Sequence, residues 1–489
     1  MADPKRILFM TCSERGQSNV FIAVIQELGL IDPSVDLHLC SFSPLAKTAA
    51  ALDRPPVFHE LTEPPVVDIL FNSLESGFPQ QAALHPTVWN AHRGSNVVSR
   101  VGCPWTPEQM SRLVRQMQAI IKDVQPDLIV IDNLFAPAIT VCVAQKEIQW
   151  IILSPNSYRE FITSFQPKLA VFWKYAVPRA IIPYPVPWYL ILSNIYQLFL
   201  YIVTPPLSKW FRAHAKNMRE NHGIEFADIS YIPQMLNPHP GFKVLCPSLP
   251  ETDFPFDIYP PHVQGCGPIV LPAPPVSEVD PELASWLAKR PTILVALGTH
   301  AAYTDDEAAE LGGSLRRVLA EARRLGKDLQ VLWKLKRVET GEAGLAKIHA
   351  SIGEEFLPLV RITSWLKPDP IAILQTGSIV CAVSHGGANS SWEALSAGVP
   401  QIILPTWYDT YDVAARMEYL GIGRIGSKKA APRCTADELG AVFIDVIYGA
   451  AGDAIRERVK HLADVVRSAG EGRTIAAQAI LAEVRGSKA

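Results

Sequence analysis

Short runs of aliphatic and β-branched residues recur along this chain, each followed by a stretch in which apolar side chains return every three or four positions. In the first half the apolar runs lie at 6–12, 35–42, 127–132 and 150–154. Between them, Phe21, Val24, Ile25 and Leu28 mark a helical face over 20–28, and Pro107–Val124 reads as a helix opened by Thr106 and Pro107. A hydroxyl there caps free N–H groups, and proline at the first helical position gives up a donor that has no partner anyway. The series breaks at the proline-rich stretch 267–276 and then restarts. Runs at 292–297, 329–334, Val360–Thr363, Ile379–Ser384 and 401–404 alternate with helical patterns at 305–325 and 389–397, and helical stretches at 454–467 and 474–484 follow. Strands separated by helices join through crossovers, which gives parallel sheets with helices on both faces. Two such series predict an α/β protein of two doubly wound domains, 1-266 and 282-470, joined by a linker at 267-281. Their strand ends are expected to face a shared central cleft.

Charge and cysteine usage narrow the class. Lys and Arg number 45 against 48 Asp and Glu, a formal net charge of −3, so no basic excess exists to hold a nucleic acid. The eight cysteines show no Cys-x-x-Cys spacing, and Cys40, Cys142 and Cys381 sit inside apolar runs. Buried reduced thiols are expected, with no zinc site and no disulfide framework. Residues 1–12 carry no long apolar signal core, and a cytoplasmic location is expected. One segment stands apart: 187–203 is uncharged, and its 17 residues include Ser193, Asn194, Gln197 and three tyrosines. That is the bare minimum for a membrane span, and polar for one. It reads instead as an insertion that lines a pocket or touches a membrane surface peripherally.

The most informative stretch runs from Trp365 to Ala414. Within it, Val383-Ser-His-Gly-Gly-Ala-Asn-Ser-Ser-Trp-Glu393 joins an apolar strand to a helix. A helix N-terminus presents unpaired N–H groups and the positive end of its dipole, which suits a diphosphate. Gly386 and Gly387 let an anion approach the backbone, and His385 adds a donor at the same point. Asn389 and Ser390 open the helix. Glu393, one turn on, faces back to the same mouth, where a carboxylate can accept two ribose hydroxyls. Trp365 offers a flat face for a base, and Asp409 ends another strand, where it can hold sugar hydroxyls.

These elements, in this order, resemble the donor-binding signature of the UDP-glycosyltransferases, the family 1 glycosyltransferases of GT-B fold with two Rossmann-like domains. Gly16-Gln-Ser-Asn19, the run 126–132 and Trp407-Tyr-Asp-Thr-Tyr-Asp412 are similar to fungal members. The resemblance implies that Trp365 and Leu366 meet the uracil, with Trp365 stacking on it. It implies that His385, Gly387, Asn389, Ser390, Gly298 and Thr299 surround the diphosphate with Gly16 nearby, that Glu393 binds ribose, and that Asp409 and Thr410 stand at the transferred sugar. The last helix, 471-489, is expected to return to the N-terminal domain. The expected function is inverting transfer of a sugar, glucose by resemblance, from a UDP-sugar to a hydrophobic small-molecule acceptor such as a phenolic polyketide, sterol or other terpenoid. O-glycosylation is favoured and C-glycosylation stays open. UDP-sugar is a co-substrate, no cofactor is expected, and the absence of an Asp-x-Asp motif agrees with metal independence. A monomer or weak dimer is expected.

The sequence departs from the family in three places. Lys367-Pro368 follows Trp365 and Leu366 where the family commonly has Pro-Gln, and Thr410 follows the sugar-binding aspartate where Gln or His is usual. Third, Gln17 occupies the position of the family's histidine base, while the orienting aspartate is present as Asp132. An amide cannot take a proton near neutral pH. Three readings follow. His85, His92, His300, Asp132 or Glu14 is the base; or the acceptor is acidic enough to need little help; or the protein binds nucleotide sugar without catalysis, as a sensor or activating partner.

Overall fold

The computed structural model describes residues 4–72, 84–231, 241–299, 301–338 and 341–486. Among these, thirteen strands form two wholly parallel sheets. The first is ordered β3-β2-β1-β4-β5-β6-β7, from β1 (Arg6–Met10), β2 (Asp36–Phe42), β3 (Val57–Leu61), β4 (Leu128–Ile131), β5 (Trp150–Leu153), β6 (Val244–Cys246) and β7 (Val263–Gly265). The second is ordered β10-β9-β8-β11-β12-β13, from β8 (Thr292–Ala296), β9 (Gln330–Lys334), β10 (Val360–Thr363), β11 (Ile379–Ser384), β12 (Gln401–Ile403) and β13 (Gly423–Ile425). In each, the order reverses beside the first strand, the switch point at which such sheets bind ligands.

Alternation along the strands builds the layers. In β1, Ile7 and Phe9 face one core with the helix Arg15–Ile31, while Leu8 and Met10 face another with the helix Pro107–Val124. In β11, Cys381 and Val383 face one side and Ile379 and Ala382 the other. Every residue of β4 and β5 is buried, as a central parallel strand with helices on both faces requires. Thr106 caps its helix as the sequence implies: its hydroxyl accepts from Gln109 N at 3.3 Å, and the Gln109 side chain accepts from Thr106 N at 2.9 Å.

The first helix begins at Arg15, five residues before the apolar period shows. Glu14 O accepts from Gln17 N at 2.8 Å and Ser18 N at 2.9 Å, closing a turn whose polar side chains face the cleft. Likewise a helix covers Tyr408–Leu420, so Asp409 lies in its first turn. The segment around 187–203 becomes a 3₁₀ turn, Trp188–Leu190, running into the helix Ile191–Leu207. The last helix, Gly472–Gly486, inserts Ala476, Ile480 and Val484 into the core beneath β1, and Arg473 pairs with Glu27 at 3.1 Å.

Candidate active site

Residues at or just after the ends of β1, β4, β8, β9, β10, β11 and β12 converge on one cleft of about 1020 Å³ between the sheets. At its C-terminal wall, His385 leaves the end of β11. Its ring is clamped by two backbones. A Cβ on Gly298 would lie 2.7 Å from His385 Cε1, and one on Gly387 would lie 2.7 Å from both Cε1 and Nε2. Gly298 and Gly386 both hold φ near +84°, which favours glycine. The loop after β8 and the turn after β11 therefore pinch the imidazole at the start of the helix Ala388–Ser396. Thr299, Asn389 and Ser390 line the same wall. The Asn389 amide is also committed across the cleft, donating to Arg15 O at 2.7 Å.

Glu393 lines the cleft one turn into that helix. Burial pushes its carboxyl up to about 8, with Asp369 adding and Arg15 opposing. Trp365 and Leu366 line the far end, and Trp365 is half exposed. Lys334, from the end of β9, places its ammonium 4.2 Å from the Trp365 ring centroid, and burial lowers its pKa. Sequence reading passed over Lys334 because a lysine at a strand end is ordinarily a solvated charge.

Asp409 lines the cleft, and burial pushes it up to about 7, with the Glu160 carboxylate adding. Around it stand groups that the motifs did not single out. Arg159 pairs with Asp412 across the two halves of the chain and donates to Ala176 O. Glu160 is fixed by Ser157, whose N and Oγ both donate to it at 3.1 Å. Ser157-x-x-Glu160 is a capping box, and that pattern was the available signal. Thr410 is a correction to the expected set. It is wholly buried and off the cleft wall, its hydroxyl accepting from Thr406 N at 3.0 Å and Trp407 N at 3.1 Å and donating to Trp407 O.

The N-terminal wall carries Gly16, Gln17 and Glu14. Gln17 Oε1 and Glu14 Oε2 are both buried without a hydrogen-bond partner among the described residues, while Glu14 Oε1 accepts from Val67 N at 3.0 Å. Burial raises the Glu14 pKa above its ordinary value. Asp132 lies behind this wall, not on it. Its carboxylate accepts from Thr11 Oγ1 at 3.0 Å and Leu134 N at 2.8 Å, and burial pushes it up to about 6. It cannot reach an acceptor directly. His85 also lies off the cleft, its Nε2 3.0 Å from Lys429 O. The His92 side chain and His300 fall outside the described residues.

An apolar stretch of the wall comes from Phe71, Leu134, Phe161, Leu198 and Ile202, with Asp68, Asn133 and Asn156 among the polar residues beside it. Among the described residues, no group of three or more His, Cys, Asp or Glu is arranged to hold a metal ion.

Comparison with known proteins supports the family and the fold. The sequence model of a family described as UDP-glucoronosyl and UDP-glucosyl transferase matches residues 251–442. The chain is 35% identical over 463 residues to glycosyltransferase sdnJ of Sordaria araneosa, covering 91% of this chain and 88% of that one. Among solved structures, the glycotransferase of kitacinnamycin aligns with a TM-score of 0.64 at 18% identity, over 98% of this chain and 99% of that one. A UDP-glucosyltransferase from Polygonum tinctorium capable of glucosylating indoxyl aligns with a TM-score of 0.64 at 16% identity over the full length of both chains.

Proposed function

The chain belongs to the UDP-glycosyltransferase family and has the GT-B fold, and from that premise we propose that it transfers glucose from UDP-glucose to a hydroxyl of a lipophilic small molecule, with inversion. It is a transferase that takes a UDP-sugar donor and a small-molecule acceptor. The observation that carries the finer reading is the joint lining of one cleft by Trp365, His385, Glu393 and Asp409, opposite an apolar wall. Trp365 stacks on uracil, and Glu393 accepts from the ribose hydroxyls. His385 and the free amides at the start of its helix receive the diphosphate.

Glucose is preferred to glucuronic acid on charge. A uronic carboxylate at the sugar end would meet Glu160 and Asp409, while Arg159 is already paired with Asp412. Neutral hydroxyls can instead donate to those carboxylates. The acceptor class follows from Phe71, Leu134, Phe161, Leu198 and Ile202, which match a terpenoid or an aromatic polyketide rather than a sugar or peptide.

Glu14 takes the proton. It lies on the wall beside Gln17, has one unpartnered oxygen, and is raised by burial toward the range in which a base works. The acceptor oxygen attacks the anomeric carbon as its proton passes to Glu14. The bond from that carbon to the UDP oxygen breaks, and UDP leaves with the electron pair. Gln17, beside Glu14, keeps a free carbonyl oxygen that can accept from a second hydroxyl of the acceptor. No metal ion or cofactor takes part. All eight cysteines are free and buried, which suits a reducing cytoplasm.

The test is incubation with UDP-glucose or UDP-glucuronic acid and a panel of phenols, sterols and other terpenoids, read by mass spectrometry. A hexose added to an apolar acceptor, with no uronic acid transfer, is the expected result. Transfer of uronic acid at equal rate would overturn the sugar assignment, and activity confined to polar acceptors the acceptor assignment.

A further inference from the structure

The helix Ile191–Leu207 and the 3₁₀ turn before it have two unlike faces. Inward, Asn194 is wholly buried. Its Oδ1 accepts from Val177 N at 2.8 Å, and its Nδ2 donates to Phe172 O at 3.0 Å and Tyr175 O at 2.9 Å. Leu198, Tyr201 and Ile202 line the cleft. Outward, Trp188, Tyr189, Leu192, Tyr196 and Phe199 are more than half exposed, with Trp188 at 83% and Leu192 at 82%. Trp188, Leu192, Tyr196 and Phe199 are spaced by four, four and three residues, so they form one stripe along the helix. An apolar stripe this long, left bare beside a cavity mouth, marks an interaction surface.

Charge identifies the occupant. Between Glu160 and Glu220 the sequence has no acidic residue and seven basic ones, in a chain whose net charge is −3. Lys168, Lys209, Arg212 and Lys216 of this set are exposed. Lys168 directly precedes exposed Leu169, close to the short helix Ala170–Trp173 that packs on the stripe's helix. Lys209 and Arg212 follow exposed Leu207 at the opposite end. Lys168 and Lys209 form no ion pair among the described residues, and Lys216 meets Glu220 only at 3.9 Å. Aromatic and aliphatic side chains flanked by unneutralised cations are the composition that seats a helix in the plane of an anionic bilayer.

We propose that this face docks on an anionic lipid bilayer, with the stripe from Trp188 to Phe199 sunk to the level of the headgroups. The helix lies on the membrane and does not cross it. Trp188–Leu207 is long and apolar enough for a span, but the satisfied Asn194 amide and the contacts of Leu198 and Pro205 tie one face sideways into the protein. Ile202 both lines the cleft and is half exposed, so docking brings the rim of the acceptor cavity to the lipid surface. A lipophilic acceptor then enters from the bilayer.

The test is co-sedimentation of the full chain with vesicles of phosphatidylcholine alone and of phosphatidylcholine mixed with phosphatidylserine. At low salt the mixed vesicles are expected to retain at least about tenfold more protein. A double variant, Leu192→Glu with Phe199→Glu, is expected to stay in the supernatant while binding UDP as the wild type does, which shows that it is folded. Failure to sediment with either vesicle overturns the proposal. So does undiminished sedimentation of the double variant. Light scattering without lipid supplies a further decision: a dimer that becomes a monomer in the double variant means that a second copy covers the stripe, and the bilayer assignment falls.

Discussion

Replacing Gly387 with alanine puts one methyl group against the ring that is proposed to hold the diphosphate. The added Cβ would stand 2.7 Å from His385 Cε1 and Nε2, well inside contact distance, so the ring must move by several tenths of an ångström or turn. At Gly387 φ is −63°, so alanine meets no backbone penalty there. The damage is confined to His385. A hydrogen bond to a charged group contributes about 1.5–3 kcal/mol net, so losing it weakens UDP binding about 10- to 150-fold. Gly298→Ala pushes on the same ring, at 2.7 Å from Cε1 and 2.9 Å from Nδ1, and also forces alanine to φ +84°. It is expected to match the loss of affinity and in addition to lower folding stability by about 1–2 kcal/mol. Gly486, at the end of the last helix and off the cleft, serves as a control, because a Cβ there meets nothing within 4 Å. Gly486→Ala is expected to bind UDP normally and to melt unchanged or slightly higher, since alanine restricts the unfolded chain. Titration calorimetry with UDP and denaturant melts read all three variants. A cycle with His385→Ala isolates the route, and Gly387→Ala should add almost nothing in that background. Wild-type affinity in Gly387→Ala, or an equal further loss in the His385→Ala background, would refute the clamp.

Other outcomes follow from the same geometry. Trp365→Ala should weaken UDP by about 1–3 kcal/mol, the worth of a stacked base, whereas Trp365→Phe keeps most of the affinity; calorimetry reads both. Glu14→Gln should cut the rate on an alcohol acceptor about 10²- to 10⁴-fold and leave UDP affinity intact. Glu14 must be ionised to accept a proton and burial raises its pKa, so the wild-type rate should fall with acid at a pH above the ordinary glutamate range. A profile flat through that range removes Glu14 from the mechanism. Activity should persist in EDTA, and loss restored by Mg²⁺ or Mn²⁺ would contradict the assignment of the leaving charge to His385 and helix amides. Asp132 is protonated more easily folded than unfolded, its pKa moving from 3.8 to about 6. Its contribution is therefore present at acid pH and lost as pH rises through about 6, by about 3 kcal/mol in all. Denaturant melts of wild type and Asp132→Asn across that range should differ in slope accordingly.

The donor wall was legible because its chemistry is local. A strand, His385, two glycines and a helix start lie within a few residues, and each demands a residue type that few other settings require. The strands β6 and β7 were not legible, since three residues are too few to display a period of two. Short elements are held by their neighbours, as when Ile152 N donates to Lys243 O at 2.8 Å across ninety residues of sequence. The start of the first helix was hidden for a different reason: its polar first turn faces the cleft, so nothing apolar announces it. Arg159 and Asp412 illustrate the general obstacle. Each sits in an unremarkable local context, and only the closing of two sheets on one another makes them a pair. Thr410 shows the converse, a position that the motif places at the sugar and the helix start consumes for its own turn.

The return of the last helix to the first sheet means that the polypeptide passes between the halves twice. The two passages touch. A Cβ on Gly472 would lie 2.4 Å from Pro268 O and 2.5 Å from Gly267 O, so the outgoing and incoming strands of chain rub backbone on backbone where they cross. Two tethers anchored far apart would act as the pins of a door and fix an axis. Two that meet at one spot act as a ball in a socket, leaving every direction of swing open and holding only the centre in place. The mouth of the cleft is then aligned by what spans it, Arg15 with Asn389, Arg159 with Asp412 and Trp392 with Pro155, and not by the covalent chain. A larger residue at Gly472 would shift that centre and mis-set the whole gap from a point remote from any substrate.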